Sequence, residues 1–65
     1  MKISYNPLWK TLEQKSMTKS ELRIASGLQK ATLAKLSKEE SVTLETILRI
    51  CEALKCDIED VVSIV

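Results

Sequence analysis

The sequence predicts an all-α fold, a compact bundle of five short helices, and three observations support this prediction. First, the chain has 65 residues, of which 45% are apolar, so we expect one small domain covering residues 1–65. Second, one Trp, one Tyr and no Phe mean that the core is built from aliphatic side chains. Third, apolar residues recur three and four positions apart along most of the chain, which is the spacing of one helix face.

The first helix is predicted over residues 7–16. Asn6 is a good helix-capping residue, and Pro7 is tolerated in the first turn because its missing N–H needs no partner there. The apolar residues that follow fall on one face of this helix; they are Leu8, Trp9 and Leu12. The helix should end near Ser16, before the next helix start.

The second helix has a sharper start, and we predict it over residues 18–26. Thr18 and Glu21 have the spacing of a capping box, in which each side chain accepts a hydrogen bond from the other residue's backbone N–H. Gly27 is the only glycine in the chain. It follows this helix at the position where a residue in the left-handed conformation ends a helix, and glycine adopts that conformation at little steric cost.

Three further helices are predicted from the remaining apolar pattern, over residues 29–38, 43–55 and 57–63. Thr43 can cap the fourth helix, and Asp57 can cap the fifth. The residues of the third helix expected to face the core are Leu33 and Leu36. The fourth helix has the strongest amphipathic pattern, and its predicted buried residues are Leu44, Ile47, Leu48, Cys51 and Leu54.

Charge is distributed very unevenly along the chain, although the formal net charge is only +1. Residues 1–38 contain eight Lys or Arg and two acidic residues, whereas residues 39–65 contain two Lys or Arg and seven acidic residues. If the fold keeps these two parts on different surfaces, one surface attracts a polyanion such as DNA. The alternative is an ordinary solvated surface with a chance imbalance.

Enzyme activity is not expected, because the chain lacks residues that common catalytic sites need. It has no His, hence no Ser-His or Cys-His pair, and it has no glycine-rich phosphate-binding loop. Cys51 and Cys56 stand five residues apart without a His partner, so we expect two reduced, buried side chains rather than a metal site. We also expect no cofactor and no small-molecule substrate.

No segment of the sequence indicates a membrane span or a secretory signal. The longest apolar runs fall far short of the roughly 18 residues that a membrane span requires, and no long apolar stretch follows Lys2. We therefore expect a cytoplasmic protein, associated with the nucleoid if the source is a bacterium or a phage, that does not interact with membranes.

The segment TKSELRIASGLQKATLAKLSK, followed by VTLETILRICEALKCDIEDV, resembles the Cro and phage-repressor type of helix-turn-helix DNA-binding domain, the xenobiotic-response-element-like regulators. The resemblance covers about residues 8–62, and its specific points are Leu22, Gly27, Leu33 and Leu36 at the family's spacing. It implies a lambda-repressor-like fold with the helix-turn-helix motif in helices two and three. It also implies a sequence-specific transcriptional regulator, a repressor that binds a palindromic operator in double-stranded DNA as a homodimer.

The resemblance places the third helix in the major groove of DNA, and helix periodicity independently turns a small, basic face of that helix away from the core. The residues implied to contact bases are Gln29, Lys30, Ala31 and Lys35. Those implied to contact phosphates are Thr18, Lys19, Thr32 and Lys38. Lys and Gln side chains can hydrogen-bond to purine edges, and Ala can approach a thymine methyl group.

The sequence departs from the family pattern at two places. Arg23 occupies a position where the family commonly has Ala, so we expect altered packing between the second and third helices. Glu39 and Glu40 follow the third helix where the family often has Asn-Gly and a basic residue, and their charge opposes DNA binding. The alternative function is therefore a protein-interaction module, such as an antirepressor or an antitoxin-like partner, with the same fold.

Several apolar residues towards the C-terminus are not needed for the predicted core, and we expect them to form a two-fold dimer interface. These residues are Ile50, Val61, Val62 and Ile64. A competing explanation is intramolecular: the C-terminal tail folds back as a short strand against Ile3 and Tyr5. The sequence leaves both explanations open.

Overall fold

Four α-helices form most of the structure, a computed structural model that describes residues 1–65. The helices are α1 (Asn6–Gln14), α2 (Lys19–Ser26), α3 (Lys30–Ser37) and α4 (Leu44–Leu54). The predicted helical fold is confirmed, and the first four predicted helices lie close to their observed bounds. None of the four is long and apolar enough to span a lipid bilayer.

Two of the four helices, α2 and α4, begin at the side-chain caps that the sequence predicts. Thr18 and Glu21 form the predicted capping box: the Glu21 N–H donates to Thr18 Oγ1 over 3.1 Å, and the Thr18 N–H donates to Glu21 Oε1 over 2.9 Å. Thr43 caps α4, because its Oγ1 accepts a hydrogen bond from the Thr46 N–H over 3.2 Å. The prediction that Asn6 caps α1 is wrong: Asn6 is the first residue of the helix, and the N-cap residue is Tyr5, whose side chain makes no capping hydrogen bond.

The prediction of a fifth helix is wrong. Residues 57–63 form a single 3₁₀ turn, Ile58–Asp60, followed by extended chain. The Asp57 N–H donates to Asp60 Oδ2 over 3.1 Å, so this turn is capped as a helix would be. It does not continue because β-branched residues follow it, and such residues pack more readily in a strand than in a helix.

The two ends of the chain pair as a short antiparallel ribbon. β1 (Ile3–Ser4) is hydrogen-bonded to β2 (Ser63–Ile64). Lys2 and Val65 extend the ribbon, since each donates its backbone N–H to the other's carbonyl over 2.7 and 2.8 Å. Of the two explanations for the apolar C-terminal tail, the structure therefore supports the intramolecular strand.

One cluster of ten buried apolar side chains holds these elements together. Its members are Tyr5, Leu8, Leu12, Leu22, Leu28, Leu36, Ile47, Ile50, Leu54 and Val61. Burying one Leu, Ile or Val side chain completely stabilises a fold by about 1.5–3 kcal/mol. Each of the four helices contributes to the cluster, so the position of every helix depends on the others.

The buried face of α4 is rotated away from the predicted one. Ile47, Ile50 and Leu54 are buried, whereas Leu44 and Leu48 are 76% and 56% exposed. At 100° per residue the apolar residues of this helix cover an arc of about 160°. The core occupies one side of that arc, and the other side is left at the surface.

Two of the four residues predicted for a dimer interface belong to the core. Ile50 and Val61 are completely buried, so the premise that the core does not need them is wrong. Val62 is half-buried, and Ile64 lies 69% exposed on β2. Ile50 and Val61 are buried by contacts between elements that lie far apart in the sequence, and helix periodicity alone does not specify such contacts.

Candidate nucleic-acid interface

α2 and α3 are joined by a tight turn at Gly27, which has the predicted left-handed conformation with φ 70° and ψ 24°. The Leu28 N–H donates to the Arg23 carbonyl over 3.0 Å. The Gly27 N–H donates to the Ile24 carbonyl over 3.3 Å, which completes the Schellman pattern of a helix end. Leu28 is buried in the core, so the turn is anchored and sets the direction in which α3 leaves α2.

α3 contacts the core along one narrow side. Leu36 is fully buried, Leu33 and Thr32 are half-buried, and all other side chains of the helix are exposed. The four residues predicted to contact bases are exposed, and together we call them the outer face of α3: Gln29, Lys30, Ala31 and Lys35. The outer face therefore offers two ammonium groups, one amide and one methyl group to a ligand.

The start of α3 is electrostatically positive. Gln29 is the N-cap residue, but its side chain makes no capping hydrogen bond, and no acidic residue lies in the first turn. The partial positive charge of the helix N-terminus is therefore not neutralised locally, and it adds to the charge of Lys30. The Gln29 amide stays available to hydrogen-bond with a partner outside the protein.

Lys19, the first residue of α2, is held by contacts with α1 and α3. Its ammonium nitrogen lies 4.4 Å from the centre of the Trp9 ring and 3.5 Å from Ser37 Oγ. A cation is attracted to the face of an indole ring, and a hydroxyl oxygen can accept a hydrogen bond from an ammonium group. These contacts restrict the Lys19 charge to the start of α2, close to the end of α3.

The other residues predicted to contact phosphates have different environments. Thr18 is exposed next to Lys19, and its hydroxyl accepts the Glu21 N–H while keeping its own hydrogen available as a donor. Lys38 is exposed at the C-cap of α3. Thr32 is half-buried on the side of α3 that faces the start of α4. The structure thus brings Thr18 and Lys19 together near the C-terminal end of α3, and Lys38 stands at that same end, directly after Ser37.

The loop after α3, which contains the two unexpected glutamates, is held by the N-terminal segment. The buried Tyr5 hydroxyl donates to the Glu40 carbonyl over 2.7 Å, and Ser4 Oγ donates to Glu39 Oε1 over 3.3 Å. Burial raises the pKa of Tyr5, and a backbone hydrogen bond from Val42 works in the opposite direction. The Glu39 carboxylate is therefore directed towards β1 by Ser4.

Sequence reasoning missed a cleft that lies between α3 and the start of α4. It has a volume of about 250 Å³ and is lined by Thr32, Lys35, Ser41, Val42, Thr43 and Thr46. Four of these side chains carry hydroxyl groups, and hydroxyl donors beside a lysine suit a phosphate oxygen. The sequence signal for this cleft is the run SVTLET, which contains more hydroxyl groups than a helix cap requires.

Comparisons with known proteins agree with this arrangement of α2 and α3. The family model described as Cro/C1-type HTH DNA-binding domain matches residues 7–65. The crystal structure of the transcriptional regulator VanUg, form II, is 50% identical in sequence and superimposes with a TM-score of 0.92. That match covers 95% of this chain and 83% of the VanUg chain. No curated protein matches the sequence.

Proposed function

The chain belongs to the Cro/C1-type helix-turn-helix DNA-binding family, and from that premise we propose that it is a repressor that binds a palindromic operator as a homodimer. As a member of this family it is a DNA-binding transcription regulator. The likeness to a solved transcriptional regulator over nearly the whole chain supports that role. We favour repression because a protein bound across a promoter blocks access to the DNA without any additional contact.

The observation that carries this proposal is the exposed outer face of α3. Only Leu36 of this helix is fully buried, so most of the helix projects from the core and can enter a groove. The B-DNA major groove is about 12 Å wide and admits an α-helix. Most basic residues of the chain lie in residues 1–38, which include α3, and that charge favours binding to phosphates.

Each residue of the outer face has a chemical role in reading bases. Lys30 and Lys35 can donate hydrogen bonds to guanine O6 and N7, and Gln29 can form two hydrogen bonds with adenine. Ala31 is small enough to let the helix approach a thymine methyl group. We therefore expect a half-site that contains guanine and adenine within a few base pairs of each other.

Phosphate contacts around this face would set the register of the protein on DNA. Lys19 and Thr18 form one such contact at the start of α2, where free backbone N–H groups also favour an anion. Lys38 forms a second contact, and the hydroxyl-lined cleft with Thr32 forms a third. The hydrogen bond from Ser4 directs the Glu39 carboxylate towards β1, but a neutral hydroxyl does not cancel the repulsion between a carboxylate and DNA phosphates.

Dimerisation follows from the small number of base contacts that one α3 can make, because a second copy on an inverted half-site doubles them. We assign the interface to an apolar patch formed by Leu44, Leu48 and Ile58, whose side chains are all more than half exposed and line one groove. A contiguous apolar patch of this kind is typical of interaction sites, and a two-fold axis would let each copy cover the other's patch. Val62 and Ile64 are retained as a second candidate surface.

Two matched variants distinguish between the two candidate dimer interfaces. Leu48→Glu places a charge in the proposed interface and should yield a monomer, whereas Ile64→Glu should remain a dimer, as judged by sedimentation velocity at micromolar concentration. The two copies of α3 in the dimer should lie about 34 Å apart, one turn of DNA. A wild-type protein that stays monomeric on a DNA site lacking two-fold symmetry would contradict the dimer.

The experiment that tests the function directly is selection from genomic DNA. Purified protein is titrated against genomic fragments, and the retained fragments are sequenced. The proposal predicts a small set of fragments that share an inverted repeat and lie near promoters. Retention of no fragment above background would instead support the alternative function, a protein-interaction module such as an antirepressor or antitoxin-like partner.

A further inference from the structure

Cys51 and Cys56 occupy the two ends of a tight turn that terminates α4. Lys55, between them, has φ 53° and ψ 52°, the left-handed conformation. The Cys56 N–H donates to the Cys51 carbonyl over 3.1 Å, which is the long hydrogen bond of a Schellman motif. In that motif the side chains at these two positions frequently contact each other. The sequence therefore puts two thiols at positions that the backbone brings together.

The environment of these thiols differs from the sequence expectation. Cys51 and Cys56 are free cysteines and only half-buried, so the prediction that both are buried is wrong. Both line a cavity of about 630 Å³ between the end of α1 and the end of α4. A small polar oxidant in solvent can therefore reach either sulfur.

We propose that Cys51 and Cys56 form a redox-reversible dithiol that closes to an intramolecular disulfide when a peroxide enters this cavity. One thiolate attacks an oxygen of hydrogen peroxide; a sulfenic acid forms, the O–O bond breaks, and hydroxide leaves and is protonated to water. The second thiolate attacks the sulfenic sulfur; the S–S bond forms, the S–O bond breaks, and a second water leaves. Two sulfurs lose two electrons in total, and these reduce one peroxide to two waters.

The turn favours this intramolecular product over a disulfide between two copies. A disulfide requires Cα atoms within about 7 Å of each other, and the backbone hydrogen bond between Cys56 and Cys51 holds the turn closed while both thiols are reduced. The second thiol is therefore already beside the first when a sulfenic acid forms. In the proposed dimer the covered groove also borders both cysteines, so the oxidant enters from the cavity between α1 and α4. The non-reducing gel then decides whether the disulfide joins two thiols of one chain or of two chains.

The groups around the thiols set the rate of oxidation. Burial raises the pKa of both cysteines, the carboxylate of Asp60 raises it further, and the Lys15 ammonium lowers the pKa of Cys56. The charged residues that face this cavity from α1, α4 and the 3₁₀ turn are Lys15, Glu52, Lys55, Asp57 and Asp60. Because the thiolate is the attacking form, oxidation should be slow at neutral pH and faster as the pH rises.

The test uses the full chain, reduced and freed of reductant, then treated with hydrogen peroxide at pH 7 and pH 9. The wild type should lose both titratable thiols, lose the mass of two hydrogen atoms, remain monomeric on a denaturing non-reducing gel and recover both thiols with dithiothreitol. Cys51→Ser and Cys56→Ser should instead accumulate a sulfenic acid that dimedone traps. These readouts need no DNA, so their failure is distinguishable from failure of the proposed repressor function.

A second measurement tests the proximity of the sulfurs without any oxidant. Phenylarsine oxide should protect both thiols of the wild type at one equivalent, and each single variant should bind it at least about tenfold more weakly because one As–S bond is lost. Two dimedone adducts on one wild-type chain, a disulfide between two chains, or equal arsenical binding by the wild type and both variants would each overturn the proposal.

Discussion

α3 and α4 differ in how many of their side chains are buried in the core. α3 buries one side chain completely and exposes a basic outer face, whereas α4 buries Ile47, Ile50 and Leu54 and carries a surface ion pair between Glu45 and Arg49. α4 therefore contributes mainly to the core, and α3 is held by few contacts of its own. The difference shows that neighbouring elements can hold a helix at the surface although few of its own side chains are buried, which leaves most of its side chains free to contact a partner.

Among the substitutions that test this comparison, the largest effect is expected from truncating a side chain on the buried face of α4. Ile50→Ala should lower the free energy of unfolding by about 2–5 kcal/mol, because it removes a completely buried side chain and leaves a cavity. Urea denaturation followed by circular dichroism measures the change. Ile24→Ala is the matched control, because it makes the same truncation at an apolar side chain of α2 that is 72% exposed, and it should change stability by no more than about 0.5 kcal/mol.

The next largest effect is expected on the affinity for DNA, from a substitution that should not change the stability of the protein. Lys35→Ala should weaken binding to the cognate site by about 1–3 kcal/mol, because it removes a donor to a base edge from the outer face of α3. Fluorescence anisotropy with a labelled operator measures the loss, and urea denaturation checks that the variant is as stable as the wild type. An unchanged affinity for the operator would mean that α3 does not read bases through this residue.

A third substitution should weaken binding to all DNA sequences about equally. Lys19→Ala removes a phosphate contact, which should lower the salt slope of the binding constant by about one and cost about 1 kcal/mol near 0.1 M salt. Titrations of operator and random duplex over a range of salt concentrations measure both quantities. A larger loss on the operator than on random DNA would instead assign Lys19 to base reading.

Adding a side chain at Gly27, in the turn that precedes α3, should lower the stability of the protein modestly. Gly27→Ala should lower the free energy of unfolding by about 1 kcal/mol, because φ is 70° there and alanine adopts this conformation with strain. A Cβ at this position would meet no atom within 4 Å, so the effect comes from the backbone alone. Equal stability of Gly27→Ala and the wild type in urea denaturation would contradict this explanation.

The smallest effect is expected at the corresponding turn at the end of α4, where a substitution should raise the free energy of unfolding instead of lowering it. Lys55 is also left-handed, and Lys55→Gly should raise the free energy of unfolding by about 0.5 kcal/mol by removing that strain. Urea denaturation of the reduced protein measures the gain. Destabilisation would show that the lysine stem makes contacts that offset its backbone strain.

The features that the sequence predicts well depend on residues close together in the chain. The capping box of Thr18 and Glu21 and the turn at Gly27 each involve only a few consecutive residues, and both are confirmed. The buried face of α4 was mispredicted because its apolar arc is wider than the core it contacts. Ile50 is buried and Leu48 is not, because the side chains that cover this face of α4 belong to other parts of the chain.

The same distinction between local and long-range features applies to the candidate nucleic-acid interface. The exposure of Lys30, Ala31 and Lys35 follows from helix periodicity and is observed. Gln29 is implied by the family resemblance alone, and it is exposed as well. The strand pairing of the two chain ends and the cleft between α3 and α4 join residues from separate elements. Their positions depend on the packing of the whole chain, so no local pattern in the sequence specifies them.

The most direct test of the central claim, that the outer face of α3 reads DNA sequence, is the ratio of affinities for the selected operator and a scrambled duplex. This ratio is measured for the wild type, Lys35→Ala and Lys55→Gly, each of the variants having lost one positive charge. We predict that Lys35→Ala reduces the ratio by about fivefold or more, while Lys55→Gly leaves it unchanged. Equal reductions in the two variants, or none in either, would contradict the claim.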